Sequence, residues 1–170
     1  MALLEYPELN SSYNPDTPFE YKTYTSHNIS VAIDGPKGLV VPNIKNVQDL
    51  SMVEIQEELN RLRDSAMAGR VEGKDLFDGT ITISNVGSIG GLFGIPLILP
   101  PQVCIIGIGA MKERVGYANI DGKKEIVPQK ILTNCISGDH RVLDGGTVAR
   151  FGKKWKSFLE DPSSLLINLK

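Results

Sequence analysis

The sequence contains few residues of the types that bind metals or form disulfides. Only two histidines and two cysteines occur among its 170 residues, and their spacing matches no familiar metal site. Cys104 and Cys135 both lie in apolar runs. This favours two buried free thiols in a reducing compartment, while the sequence alone leaves a disulfide between them open. We therefore predict no metal site.

The sequence also lacks long apolar runs and a large excess of charge. Its longest apolar stretch, at residues 97–108, is interrupted by prolines, Gln102 and Gly107, so no segment is expected to span a bilayer. The formal net charge is −2, which gives no general attraction to nucleic acid or anionic membranes. No basic region followed by an apolar stretch opens the chain, so no secretory signal is expected. We expect neither nucleic acid nor membrane as a partner.

What remains is typical of one globular domain. Apolar residues make up 41% of the chain and charged residues 22%, which argues against disorder and against a coiled coil. The length favours a single domain over residues 1–170. Predicted strands and helices are mixed without strict β–α–β alternation, which indicates an α+β fold.

Two helices are predicted from apolar periodicity. The first covers residues 51–68, where Ser51 and Glu54 match a capping box and Gly69 is a plausible stop. Its apolar stripe consists of Met52, Ile55, Leu59 and Leu62. The second begins near Gly146 and ends at Pro162. Its stripe consists of Val148, Phe151, Trp155 and Phe158, and Trp155 is expected in the core.

The predicted strands are rich in β-branched residues. A glycine-rich loop at residues 86–94 indicates unusual backbone angles or close approach to another segment, and residues 1–25 are polar and turn-rich. An Asp-Gly pair at residues 121–122 predicts a hairpin. The predicted strands cover residues 27–34, 39–42, 80–85, 103–111, 115–120, 124–127 and 131–137.

His140 is the histidine best placed for chemistry. It follows a predicted strand and stands between Asp139 and Arg141, with Asp144 four residues later. A free imidazole, with a pKa of about 6.5, can take a proton from a thiol of pKa about 8.5 near neutral pH. The pattern alone favours a structural histidine, and for His27 a surface or packed role is clearly favoured.

Ser84 and Asn85 end a predicted strand beside the glycine-rich loop. Either side chain could donate a hydrogen bond to a developing oxyanion, and capping of the strand end is an equal alternative. The sequence contains no Gly-x-Ser-x-Gly elbow, dinucleotide fingerprint or phosphate loop. These absences argue against a serine hydrolase and against a nucleotide-binding protein.

Taken together, three segments resemble one family. The run Gly-Asp-His-Arg-Val-Leu-Asp-Gly at residues 138–145 resembles the Asp-His-Arg-x-x-Asp-Gly signature of the catalytic domain of dihydrolipoamide acyltransferases, the core components of 2-oxo acid dehydrogenase complexes. Residues 82–91 are similar to its second active-site strand and loop, and residues 38–43 to a third segment. The loop after Ser84 and the tail from Trp155 look most like the branched-chain member. The resemblance implies a mixed sheet packed with helices, a two-layer sandwich like chloramphenicol acetyltransferase.

The resemblance also implies a mechanism. His140 would remove the proton from the thiol of coenzyme A, a substrate, and the thiolate would attack an acyl group presented by a lipoyl arm on a separate domain. Ser84 would stabilise the oxyanion, and Asp144 would hold the geometry of the site through ion pairing. The expected coenzyme A contacts are Asp34, Arg63, Ser84, Asn85, Gly109 and Met111. Arg63 stands where the resemblance leads us to expect glutamine.

The same resemblance implies an assembly and partners. The active site would lie between two subunits of a homotrimer, and trimers would form a larger cubic core. The partners would be a lipoyl domain and the decarboxylase and dihydrolipoamide dehydrogenase components, in the mitochondrial matrix of a eukaryote or the cytoplasm of a bacterium. From the resemblance we expect residues 1–170 to form an N-terminally incomplete catalytic domain, without lipoyl or peripheral-subunit-binding domains. A pyruvate or 2-oxoglutarate member, a non-catalytic scaffold core and a chloramphenicol-modifying enzyme are the alternatives.

Overall fold

The largest sheet of the protein is a five-stranded mixed β-sheet. The structure is a computed structural model that describes residues 1–161 and Ser163. The α+β class predicted from the sequence is confirmed. The helices are α1 (Ala2–Glu5), α2 (Met52–Met67), α3 (Gly73–Leu76) and α4 (Gly145–Glu160). The strands are β1 (Ser11–Tyr13), β2 (Tyr21–Thr23), β3 (Ile29–Val31), β4 (Ile33–Gly35), β5 (Gly38–Val40), β6 (Asn43–Ile44), β7 (Ile81–Asn85), β8 (Cys104–Ile108), β9 (Lys112–Ile120), β10 (Lys123–Ile131) and β11 (Asn134–Gly138).

The strand order in the main sheet is β11-β8-β7-β3-β6. Strands β3, β7 and β8 are parallel to one another, whereas β11 is antiparallel to β8 and β6 is antiparallel to β3. The three parallel strands therefore end at one edge of the sheet, which we call the carboxyl edge. Strand β11 ends at the opposite edge, the amino edge.

The core lies where the sheet meets α1 and α4. Ile81, Val103 and Phe151 are at most 2% exposed, and Trp155 packs against this cluster as expected. Cys104 is a buried free thiol whose pKa burial raises to about 12, and Cys135 is free and half-buried. The prediction of free thiols is confirmed for both cysteines, and the prediction of burial for Cys104.

Helix α2 forms as its capping sequence predicts. The Ser51 hydroxyl accepts a hydrogen bond from the Glu54 N–H at 3.3 Å, and the Glu54 carboxylate accepts one from the Ser51 N–H at 2.7 Å. Gly69 follows the helix with a φ of 65°, the left-handed conformation that glycine adopts readily. The predicted apolar stripe is wrong at Met52, which is 61% exposed while Leu62 is fully buried, because Met52 opens the first turn of the helix.

An ion pair joins α2 to α3, which the sequence did not predict. The guanidinium of Arg61 donates to both carboxylate oxygens of Asp75, at 2.8 and 3.2 Å. Asp75 is only 5% exposed. Hydrogen bonds from Arg61 lower the pKa of Asp75, and burial opposes them with a smaller effect. The pair stabilises α3 against α2 above the acid range.

Several strand boundaries differ from the prediction. The strand predicted at residues 27–34 divides into β3, in the main sheet, and β4, which pairs with β5 instead. The predicted hairpin around residues 121–122 exists as β9 and β10, but both strands are longer than predicted and form a separate two-stranded sheet. Residues 11–23, for which only a polar, turn-rich segment was predicted, form the β1–β2 hairpin. Pro162, the predicted end of the last helix, lies outside the described residues.

Candidate active site

Parallel strands bring the predicted coenzyme A contacts to the carboxyl edge. Ser84 and Asn85 end β7, and Gly109 follows the last residue of β8 directly. Met111 lies two residues further on. Asp34 belongs to β4, which continues the chain after β3 leaves the sheet at the same edge. Five of the six predicted contacts therefore share one edge, because three neighbouring strands all run toward it.

Arg63 is the sixth predicted contact and lies on α2. The helix packs against the β4–β5 hairpin so closely that a Cβ added to Gly35 would lie 3.0 Å from the carbonyl oxygen of Ala66. Arg63 precedes Ala66 by three residues. Its guanidinium is exposed and pairs with Asp64 at 3.0 Å. The packing brings α2 close to Asp34, but contact of any of these six residues with coenzyme A remains a prediction.

The glycine-rich loop folds back against the segment that follows β8. The Ala110 N–H donates to the Gly91 carbonyl at 2.7 Å. A Cβ on Gly87 would lie 2.5 Å from backbone atoms of Gly109, a distance that no side chain tolerates. Gly90 has a φ of 89°. Both expectations for this loop, close approach and an unusual backbone, are confirmed.

Ser84 and Asn85 differ in what their side chains do. The Asn85 side chain accepts a hydrogen bond from the Gly87 N–H at 3.0 Å, so it caps the strand end and shapes the loop. The Ser84 hydroxyl is half-buried and has no hydrogen-bond partner among residues 1–161. A hydroxyl without a partner in the fold is available to donate to a substrate oxygen.

His140 lies at the amino edge. Gly138, the last residue of β11, pairs with Cys104 at the start of β8. The Asp139 N–H continues this ladder by donating to the Val103 carbonyl at 2.8 Å. The chain then turns, and the His140 side chain is exposed, without a hydrogen bond to any of the described residues. The imidazole is therefore accessible to a molecule outside the chain.

The buried Leu143 anchors the turn that carries His140. The N–H groups of Val142 and Leu143 both donate to the Asp139 carbonyl, at 2.9 and 2.8 Å. Leu143 is 2% exposed and belongs to the core. This anchoring fixes the turn on its inner side and leaves His140 on the outside.

Asp144 caps helix α4. Its carboxylate accepts a hydrogen bond from the Thr147 N–H at 2.8 Å and another from the Thr147 hydroxyl at 2.9 Å. These bonds lower the pKa of Asp144, the backbone bond most strongly, and the charge of Arg150 adds a small effect. Among the described residues, Asp144 therefore acts mainly as the cap of α4. The family resemblance had led us to expect an ion pair instead. Thr147 was missed, although an aspartate three residues before a threonine at a helix start is a capping pattern.

The sheet register separates Ser84 from His140 within one chain. Along β8, Ser84 pairs opposite Gly107 and Gly138 opposite Cys104. Three residues of strand correspond to about 10 Å, and β7 and β11 lie two strand spacings apart, so the backbones of Ser84 and Gly138 are about 14 Å apart. His140 lies beyond Gly138. An acid–base group must reach its proton within hydrogen-bond distance, so these two residues of one chain cannot act on the same atoms.

A metal site and a membrane-spanning helix are both absent from the described residues. Within residues 1–161, no group of three or more histidine, cysteine, aspartate or glutamate side chains is arranged to hold a metal ion. In the same part of the chain, no helix is long and apolar enough to cross a membrane.

Comparison with known proteins decides the family. Residues 1–167 match the model of the 2-oxoacid dehydrogenases acyltransferase (catalytic domain). The chain belongs to this family. The lipoamide acyltransferase component of the branched-chain alpha-keto acid dehydrogenase complex, mitochondrial, is 46% identical to it in Arabidopsis thaliana and 44% in Caenorhabditis elegans, each over all of this chain. These alignments cover 34% and 37% of those proteins, so the chain spans about a third of their length.

Solved structures of the family share the fold. Azotobacter vinelandii dihydrolipoamide acetyltransferase superposes with a TM-score of 0.88 at 32% identity, over 96% of this chain and 65% of that one. That structure was determined to investigate a serine, a histidine and an asparagine in its catalytic mechanism. There the asparagine follows the histidine by four residues, the same spacing as Asp144 after His140. The cubic core of the pyruvate dehydrogenase multienzyme complex superposes equally well, with a TM-score of 0.88.

Proposed function

We propose that this chain transfers an acyl group from a dihydrolipoyl thioester to coenzyme A in an active site formed between two copies of the chain. The observation that carries the proposal is the placement of Ser84 and His140 at opposite edges of the sheet, each without a hydrogen-bond partner among the described residues. Two complementary half-sites on one chain can be joined by a closed ring of copies. A homotrimer is the ring that we propose.

The chemistry follows from the two side chains. The His140 imidazole takes the proton of the coenzyme A thiol, and the thiolate attacks the acyl carbon to form a new carbon–sulfur bond. Ser84, from the neighbouring copy, donates a hydrogen bond to the tetrahedral oxyanion, a contribution of about 3 kcal/mol to the barrier. The bond from carbon to the lipoyl sulfur then breaks, and that sulfur takes the proton from His140. Atoms and charge balance without a metal or a redox partner.

The carboxyl edge supports coenzyme A as the acceptor. The six residues predicted to contact it come from three strand ends and α2. Asp34, Arg63, Asn85 and Met111 are exposed, as a binding surface requires. Gly109 is buried where its backbone approaches the glycine-rich loop, which positions Ser84 and Asn85 rather than adding a side chain.

The comparisons support a branched-chain acyl group as the group that is transferred. Identity to the branched-chain relatives is 44–46%, against 36% for the acetyltransferase of the Mycoplasma genitalium pyruvate dehydrogenase complex and 36% for the succinyltransferase of the yeast 2-oxoglutarate complex. We therefore propose isobutyryl, isovaleryl or 2-methylbutanoyl groups over acetyl or succinyl.

The proposed partners follow from the family. They are a lipoyl domain that delivers the acyl group, and the decarboxylase and dihydrolipoamide dehydrogenase components of the complex. Assembly of trimers into a cubic core is supported by the superposition on such a core. The relatives named mitochondrial support the mitochondrial matrix for a eukaryotic source, and the cytoplasm is proposed for a bacterial one.

An acyl-transfer assay tests the function directly. The purified chain is given isobutyryl-, acetyl- and succinyl-dihydrolipoamide, and formation of each acyl-coenzyme A is followed. We expect isobutyryl transfer to be fastest, and His140→Ala to lower its kcat by at least about 10²-fold, the low end for loss of a general base. Ser157→Ala, an exposed serine on α4, is the control. Equal rates for the unmodified chain and His140→Ala would refute the role of His140, and no transfer from any donor would favour a non-catalytic core.

A further inference from the structure

The two residues that flank His140 in sequence bind each other. Arg141 Nε lies 2.9 Å from Asp139 Oδ1, and Arg141 Nη2 lies 2.6 Å from Asp139 Oδ2. The backbone N–H of Arg141 also donates to Asp139 Oδ1, at 3.0 Å. Hydrogen bonds from Arg141 lower the pKa of Asp139, so the pair stays charged near neutral pH. The backbone on both sides of His140 is thus tied by one ion pair.

A third side chain, from β1, covers this ion pair. The guanidinium carbon of Arg141 lies 4.1 Å from the centre of the Tyr13 ring, well inside the range of a cation–π contact. The Tyr13 N–H donates to the Pro101 carbonyl at 3.0 Å, and the Asp139 N–H donates to the Val103 carbonyl at 2.8 Å. Both sides of the contact are therefore fixed to the same short segment that leads into β8.

The contact between Tyr13 and Arg141 lies beside a cavity. Tyr13, Asp139 and Arg141 line a cavity of about 460 Å³ together with Pro100 and Pro101. The Arg141 side chain is nevertheless 56% exposed, so its contact with the Tyr13 ring has the strength of an exposed cation–π pair. The planar guanidinium can stack on the ring and bind a carboxylate along its edge at the same time, which a lysine could not do.

We propose that Tyr13 is a positioning residue for His140. Its ring holds the Arg141 guanidinium, and the ion pair of Arg141 with Asp139 holds the backbone that carries the imidazole. The inference rests on the proposed acyl transfer. Because rate depends steeply on the placement of the base, loss of the ring lowers kcat. The KM for coenzyme A stays unchanged, because the carboxyl edge that binds it is untouched.

Three variants of the full chain test this. Tyr13→Leu removes the π face and keeps an apolar side chain, whereas Tyr13→Phe keeps the face. Tyr21→Leu is the matched control, since Tyr21 pairs with Tyr13 across the same hairpin. We expect Tyr13→Leu to lower kcat about three- to fivefold, in line with loss of an exposed cation–π contact, while Tyr13→Phe and Tyr21→Leu stay within about twofold of the unmodified chain.

Amide hydrogen exchange, read by mass spectrometry, provides a readout that does not need activity. Peptides covering residues 139–143 should exchange about three- to fivefold faster in Tyr13→Leu, with no change in Tyr13→Phe or in peptides from β8. Unchanged kcat and unchanged exchange in Tyr13→Leu would overturn the proposal. Equal losses in Tyr13→Leu and Tyr21→Leu would overturn it too, because they would show a general effect of the hairpin. If the unmodified chain transfers no acyl group, the proposed function fails, and the exchange data alone decide whether Tyr13 positions the loop.

Discussion

Asp144 combines a structural task with a place in the candidate site. Its carboxylate accepts two hydrogen bonds from Thr147 at the start of α4, and an asparagine can accept the same bonds without a charge. Asp144→Ala should therefore lower the melting temperature by about 2–4 °C, whereas Asp144→Asn should stay within about 1 °C of the unmodified chain.

Thermal unfolding followed by circular dichroism measures this difference. Thr147→Val is the companion variant, because it removes the hydroxyl that donates to Asp144 and keeps the backbone N–H. An equal loss in Asp144→Asn and Asp144→Ala would show that the charge matters more than the cap. If Asp144→Asn keeps its stability and also keeps kcat, then capping is the whole contribution of Asp144 to the site.

The ion pair of Asp75 with Arg61 makes stability depend on pH in the acid range. Because the pKa of Asp75 is lowered in the folded chain, its stabilisation is fully present above the unfolded value of about 4 and is lost as pH falls through the folded value. Asp75→Asn should lower the free energy of unfolding by about 1–2 kcal/mol at pH 7 and by little at pH 2. The value at pH 7 is below that of a fully buried pair because the Arg61 side chain is 41% exposed.

Urea unfolding at pH 7, 4 and 2 tests this prediction. Asp64→Asn is the control, since Asp64 pairs with Arg63 at the surface, with 70% of its side chain exposed. The same cost for Asp75→Asn at all three pH values would contradict the linkage.

At the scale of elements, the contact between two loops sets the shape of the carboxyl edge. A Cβ at Gly87 would meet the backbone of Gly109 at 2.5 Å, whereas nothing lies within 4 Å of one at Gly94. Gly87→Ala should lower the free energy of unfolding by about 1–3 kcal/mol and raise the KM for coenzyme A. Gly94→Ala should stay within about 0.5 kcal/mol.

Chemical denaturation and coenzyme A titration of both variants check this pair. A Gly87→Ala chain as stable as the Gly94→Ala chain would mean that the two loops do not pack as described.

The sequence predicted correctly those elements whose start and end signals lie within the element itself. Helix α2 begins and ends where its capping box and Gly69 place it, because both act within one turn of the backbone. The split between β3 and β4 left no such signal, since β4 leaves the main sheet to pair with β5, and pairing between strands is a tertiary choice. The β1–β2 hairpin was missed for the same reason. Its strands are three residues long, too short to show alternation.

The candidate site follows the same division. Resemblance to the family indicated Ser84, His140 and the six residues proposed to bind coenzyme A, and the fold brings five of these six to one edge. Tyr13 carried no signal, because its contact with Arg141 depends on how β1 lies beside the segment before β8. The distance between Ser84 and His140 depends on the direction of β11, which no local pattern reveals.

For the molecule as a whole, separate half-sites predict that two inactive variants can restore activity in a mixture. In mixed trimers of Ser84→Ala and His140→Ala chains, a site is intact when the first variant supplies its histidine and the second its serine. Random mixing should restore about one quarter of the unmodified kcat per chain.

The measurement is acyl transfer after the two variants are unfolded together and refolded, with each variant refolded alone as its control. A mixture as inactive as its components would contradict an active site between copies.

The opposite placement of Ser84 and His140 also has a genetic consequence. In the proposed active site between copies, a substitution that removes only one of the two residues inactivates one site for each defective chain. A carrier with equal amounts of both alleles would then keep about half of its active sites. A substitution that distorts both edges of a chain that still assembles inactivates two sites for each defective chain. A carrier of that allele would keep about one quarter of its active sites. Inheritance of the defect would thus shift toward dominance for alleles that assemble but damage both edges.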